Sequence, residues 1–142
     1  MGNICIIPAR GGSKRIPRKN IKEFLGKPII TYSIKAAIDS GLFDEIMVST
    51  DSKEIEEVAK KYGAKVPFLR SNSNANDFAT LAGVLLEVLA EYIKEGKKFE
   101  NICCFLPTAA LITPEKITEA YKTYVDGDFS SVVPVIRFAY PI

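Results

Sequence analysis

The sequence predicts an α/β protein, a three-layer sandwich with a mostly parallel sheet, and three observations predict it. Short β-rich apolar runs alternate along the chain with longer segments of helical period. Each helical segment is followed by a terminating glycine: Gly41, Gly63, Gly96 and Gly127. The first apolar run is continuous rather than alternating, as in a strand covered on both faces.

In chain order, residues 3–9 (NICIIPA) read as that first buried strand. Pro28 is suited to open a helix at its first position, with Ile30, Ile34, Ala37 and Ile38 on one side. Residues 45–49 (EIMVS) are a second strand. The helix expected over 52–62 puts Ile55, Val58, Ala59 and Tyr62 on one stripe. Its outer face carries Glu56 with Lys60 and Glu57 with Lys61, both four residues apart. Residues 65–69 (KVPFL) form a short third strand whose pairing Pro67 limits.

A polar stretch, RSNSNAND, leads into a long helix near 77–95, with Phe78, Leu81, Leu85, Leu89 and Tyr92 toward the core. Residues 101–106 (NICCFL) are a fourth strand. Thr113 and Pro114 cap and open a last helix, and residues 130–135 (SSVVPV) are a fifth strand. With no repeat, linker or low-complexity segment, residues 1–142 read as one domain. In such sheets ligands collect beyond the carboxyl ends of the strands, where residues 10–22, 50–52, 70–77 and 107–113 gather.

Composition narrows the chemistry. The chain contains no histidine, which removes Ser-His-Asp and Cys-His mechanisms and histidine-based zinc sites. Cys5, Cys103 and Cys104 lack metal spacing and read as packing residues. No apolar run reaches the ~20 residues of a membrane span. Met1 leads straight into a strand-like run, so a cytoplasmic location is expected.

The net charge is only +2, but residues 10–27 hold seven of the 19 basic groups and one acid, Glu23. The rest of the chain is mildly acidic. That contrast predicts a localised anion site, not the broad basic face that binds nucleic acid. The loop also lacks interleaved aromatics for stacking RNA bases.

The basic run follows Gly11 and Gly12 directly after the first strand. It matches neither the P-loop nor the dinucleotide fingerprint. Glycines there let backbone amides approach an anion, Ser13 adds a hydroxyl, and Arg10, Lys14 and Lys19 add charge. A polyphosphate is the natural complement, and a solvated flexible loop is the alternative. Asp51, with Glu54 three residues on, reads as a helix cap. Lys22 and Lys27 read as surface charges. Arg15 and Arg18 either line a carboxylate entrance or are solvated.

The stretch IIPARGGSKRIPRKNIKEFLGKPII resembles the N-terminal motif of the acylneuraminate cytidylyltransferases, the CMP-sugar synthetases that activate nine-carbon acid sugars. VSTDSKEIEEVAKKYGAKVPFLR and FLPTAALITPEKI resemble the next two regions of that family, so the likeness runs along essentially the whole chain. It looks most like the pseudaminic acid branch, whose chains continue beyond the terminal YPI. The sialic acid branch has Gln and Thr-Ser-Pro where this chain has Phe105 and Ala109-Ala110.

The resemblance implies a nucleotidyltransferase, Rossmann-like fold and transfer of CMP from CTP to the sugar acid, releasing pyrophosphate. The sialic acid reaction and a CTP-binding fragment without turnover are the alternatives. Carried over position by position, Arg10, Gly11, Gly12, Ser13 and Lys14 would hold the triphosphate, and Ala9 would belong to the nucleotide-binding set with them. Lys19 would steady the phosphates, making Arg10, Lys14 and Lys19 the catalytic set. Asn20 would read the cytosine edge. Arg70, Asp77 and Thr80 would stand beside the nucleotide, although RSNSNAND lacks the family's usual Pro and Leu. Thr108 would sit near the sugar or serve as an ordinary turn hydroxyl. The family also implies Mg²⁺ and a homodimer of the full-length form. No metal ligand is assigned in this chain, because the family's metal-binding aspartates and dimer arm fall in a C-terminal segment beyond position 142.

Overall fold

The computed structural model describes residues 2–137 and Ala139; Met1, Phe138 and the Tyr140–Ile142 end lie outside the described residues. β1 (Gly2–Pro8) is the central strand of a three-stranded sheet. It pairs in parallel with β4 (Glu45–Ser49) on one side and β5 (Phe99–Cys104) on the other. Burial alternates across it. Cys5, Ile7 and Ala9 face a cluster with α1 (Ile30–Ser40), α2 (Lys53–Lys61) and α4 (Pro114–Asp126). Ile4 and Ile6 face Val88 and Tyr92 of α3 (Leu81–Lys94). Helices therefore cover both faces of a parallel sheet, as the continuous apolar run predicts. Among the described residues no helix is long and apolar enough to cross a membrane.

Several elements differ from expectation. Pro28 does not open the helix; it ends β3 (Lys27–Pro28), which pairs antiparallel with β2 (Glu23–Phe24). The turn between them holds Leu25 and Gly26 at φ 49° and 81°, a hairpin geometry for which glycine is the usual residue. Helix α1 then begins two residues after Pro28.

The third expected strand shrinks to one parallel bridge, Lys65 beside Met47, at the outer edge of β4. Pro67 has no N–H to continue the ladder. Residues 130–135 form no strand and are exposed; among the described residues no strand takes up their backbone groups.

The long helix starts at Leu81 rather than near 77, capped by Thr80, whose hydroxyl accepts the Gly83 N–H at 3.0 Å. Phe78 thus lies outside it and is 94% exposed, and Leu81 is half exposed, so neither joins the core. On α2, Glu56 pairs with Lys60 and Lys53, whereas Glu57–Lys61 is not among the ion pairs of the described residues. Cys5 is buried and Cys103 and Cys104 are half-buried, all as free thiols.

One polar interaction reaches into the α3 layer. Tyr92 is fully buried, packed edge-on against Phe68 and Phe99. Its hydroxyl donates to Glu45 Oε1 at 3.0 Å, and Lys65 Nζ reaches Glu45 Oε2 at 2.8 Å. Burial and that carboxylate push the phenol well above its usual range. Tyr92→Phe leaves a buried carboxylate short of one donor and is expected to cost about 1–3 kcal/mol in urea unfolding. No measurable loss would show that the pair contributes nothing.

Candidate functional site: a basic cleft at the sheet's carboxyl end

The turn after β1 is held from several sides. Ala9 is buried, and its N–H donates to Ser49 O at 2.9 Å, carrying the β1–β4 pairing one residue further. The Gly11 N–H donates to Asp51 Oδ1 at 2.8 Å. A Cβ on Gly11 would stand 2.9 Å from the Ser52 Cβ, so this approach to α2 requires glycine. Asp51 is therefore not the helix cap. That role falls to Ser52, whose hydroxyl accepts the Ile55 N–H, while Asp51 ties the glycine turn to the end of β4. Gly12 faces open space.

Beyond the glycines the charges gather around a cleft of about 530 Å³ lined by Arg10, Ser13, Lys14, Arg15, Lys19 and Asp77. Asp77 lies 2.5 Å from Arg10 Nη1 and also pairs with Lys14. Lys14 foremost, and Arg10 with it, hold the Asp77 carboxyl below the usual range. Arg18 turns away to pair with Glu54, and Lys22 and Lys27 are exposed.

A second cleft of about 350 Å³ shares Arg10, Lys19 and Asp77 with the first. It adds Asn20, Arg70, Thr80 and Thr108, with Pro8 and Leu106 from the strand ends. Asn20 is buried in the 3₁₀ turn Lys19–Ile21. Its Nδ2 donates to Arg10 O at 3.0 Å, leaving Oδ1 buried without a partner. Arg70 is also buried: its N–H donates to Thr50 O at 2.8 Å, Nε to Ser49 Oγ at 3.0 Å and Nη2 to Ser49 O at 2.6 Å. Burial lowers its pKa, partly offset by Asp51 and Glu87.

The residues singled out in the sequence thus converge from four stretches of chain, at 9–20, 70, 77–80 and 108. Ala9, Gly11 and Gly12 shape the turn without lining either cleft. Sequence reasoning missed Asp51 as a tether and Glu87 altogether. Glu87 accepts the Ser71 N–H at 2.7 Å, the Ser71 hydroxyl at 2.9 Å and the Asn74 amide. Nothing in the helical pattern sets Glu87 apart from an ordinary outer-face acid.

A family model described as Cytidylyltransferase matches residues 4–137. The pseudaminic acid cytidylyltransferase of Campylobacter jejuni subsp. jejuni serotype O:2 is 44% identical over all 142 residues, which span 61% of its length. The CMP-N,N'-diacetyllegionaminic acid synthase of Legionella pneumophila subsp. pneumophila is 40% identical over 85% of this chain and 52% of its own. N-acylneuraminate cytidylyltransferase A of Danio rerio is 38% identical over 94% of this chain and 30% of its own. Among solved structures, CMP:2-keto-3-deoxy-manno-octonic acid synthetase complexed with CTP superposes with a TM-score of 0.70 at 23% identity. It covers 90% of this chain and 49% of that one, and supports the nucleotidyltransferase, Rossmann-like fold. With a family match running from β1 past α4, the chain belongs to the cytidylyltransferase family.

Proposed function

We propose that residues 1–142 form the nucleotide-binding α/β domain of a cytidylyltransferase that moves CMP from CTP to a nine-carbon acid sugar, pseudaminic acid, and that pairs with a second copy in its full-length form. The observation that carries this reading is Asn20. Its Nδ2 is committed to Arg10 O, so the buried Oδ1 is left as an acceptor with no donor, beside the basic turn. The exocyclic amine of cytosine supplies a donor there, whereas uracil presents a carbonyl.

In this reading Arg10, Lys14, Lys19 and the Ser13 hydroxyl take the triphosphate, which replaces Asp77 as the partner of the two nearest cations. Arg70 and Thr80 frame the nucleoside, and Thr108 faces the sugar. The anomeric hydroxyl of the sugar attacks the α-phosphorus; the new bond joins the sugar oxygen to CMP while pyrophosphate departs with the electrons of the broken bond. Arg10, Lys14 and Lys19 offset the charge that gathers on the phosphate oxygens, so catalysis here is positioning and neutralisation. No histidine is required.

Family resemblance implies Mg²⁺, which would supply further neutralisation of the phosphates when bound. Among the described residues no group of three or more Asp, Glu or Cys side chains is placed to hold a metal ion. Asp51 and Asp77 are engaged by the Gly11 N–H and by Lys14 and Arg10. These residues do not fit a magnesium cage, and the steps assigned to them are binding, orientation and charge neutralisation. A second reading is a CTP-binding unit without turnover; the chain spans 61% of the length of its Campylobacter relative.

Three outcomes are expected. CTP binds at least about tenfold tighter than UTP by calorimetry, and Asn20→Ala narrows that ratio toward one; equal affinities for the two nucleotides in the parent chain would refute the assignment. Lys14→Ala, followed by carboxyl NMR titration, moves the Asp77 pKa upward toward the ordinary range. Because the folded value is depressed, the Asp77 pairing is present above the ordinary aspartate range and is lost as pH falls through the depressed value. A pyrophosphate-release assay with CTP, Mg²⁺ and pseudaminic acid separates the two readings: turnover supports the transferase, and binding without release supports the CTP-binding unit.

A further inference from the structure

The loop between Arg70 and Thr80 carries Asp77 to the basic cleft, yet it has little apolar anchorage. Ser71, Asn72, Ser73, Asn76 and Asp77 are exposed, and Phe78 near its end is 94% exposed. Its two ends are fixed: Arg70 is clamped to Ser49 and Thr50, and Thr80 caps α3. Between them the loop folds on itself, with Asn76 Nδ2 donating to Ser73 O and the Phe78 N–H to Asn76 Oδ1, both at 2.8 Å. Its middle is tied to the body of the protein by Glu87, which gathers the Ser71 N–H, the Ser71 hydroxyl and the Asn74 amide.

Glu87 is well suited to the task. It projects from the second turn of α3, beside the buried Val84 and Val88, the latter packed against the sheet. All three groups that reach it donate, so only an acceptor-only side chain satisfies them together. Burial alone would raise its carboxyl pKa, but the Ser71 and Asn74 donors hold it below the ordinary range. The same residue links onward: the Asn74 backbone carbonyl accepts from Arg70 Nη1 at 3.5 Å. Helix α3, the loop and the end of β4 are joined through one carboxylate and one guanidinium.

We propose that Glu87 is the positioning residue of the nucleotide loop: its ionised carboxylate holds residues 71–77 in the placement that closes the nucleoside side of the cleft. It touches no reacting atom. The proposal rests on the nucleotide reading above and adds a division of labour to it. The glycine turn and its cations grip phosphate, and the Glu87-held loop grips the nucleoside.

The test uses the full 142-residue chain. Hydrogen exchange is measured without nucleotide, and affinities for CTP and for inorganic tripolyphosphate are measured by calorimetry. Glu87→Gln sets an amide donor against the loop's donors. It is expected to speed exchange at Ser71 and Asn74 about tenfold and to weaken CTP about tenfold. Tripolyphosphate affinity is expected to stay within about twofold or to rise, since a loosened Asp77 competes less for Arg10 and Lys14.

Glu87→Asp keeps the acceptors and recovers part of both losses. Unchanged exchange, unchanged CTP affinity, an equal loss for both ligands, or no recovery by Asp would each overturn the proposal. The nucleotide-free exchange arm stands apart from CTP binding. Failure of the parent chain to bind CTP counts against the function, and unchanged exchange counts against Glu87.

Discussion

A strand buried on both faces carries no charge along its length, and β1 obeys this from Ile4 to Ile7, all four side chains being fully buried. The rest of the architecture follows from that constraint. Polar groups are confined to the strand ends, and three parallel strands present their carboxyl ends together. The first residue that can hold charge after β1 is Arg10, immediately past buried Ala9. The basic run is therefore concentrated at one point by the same burial that makes the core, and it meets there the segments that leave β4 and β5.

Charge concentrated in this way repels itself, and the turn and loop that frame it have to be held in place. Three carboxylates do this at different points. Asp51 orients the glycine turn, Asp77 neutralises Arg10 and Lys14, and Glu87 binds the facing loop. Arg70 serves the converse purpose: at the wall of the second cleft its guanidinium is held by the backbone and hydroxyl of Ser49. A buried arginine that has found these acceptors avoids most of the penalty of its burial and fixes the loop's origin. The residues that frame the site are thus also structural, so their removal affects geometry as well as charge.

Much of this was legible in the sequence because it is periodic or local. The continuous apolar run of β1, the stripe of Ile55 and Ala59 on α2, and the Thr113-Pro114 start of α4 all depend on neighbours within a few residues. The basic cleft was legible for the same reason, since all of its lining residues but Asp77 lie between Arg10 and Lys19. What failed depends on partners that no local helical or strand period reveals. Residues 65–69 and 130–135 have strand composition, but a strand exists only where another offers its edge. Pro28 looks like a helix start until the Leu25-Gly26 turn folds it back on Glu23. Glu87 is invisible because its partners, Ser71 and Asn74, sit 16 and 13 positions away across a loop.

The register of the central strand has a consequence for how the chain is made. Ile4 lies opposite Glu45 on one side and Ile102 on the other, about a hundred residues downstream. A ribosome releases β1 early, together with the crossover that returns β4 to it, but the second edge of β1 stays open until β5 emerges. During that interval an apolar strand edge is available to any extended segment nearby. Non-local parallel pairing of this kind is slow to form, so vectorial synthesis leaves the nascent molecule exposed to mispairing until the β5 segment has emerged.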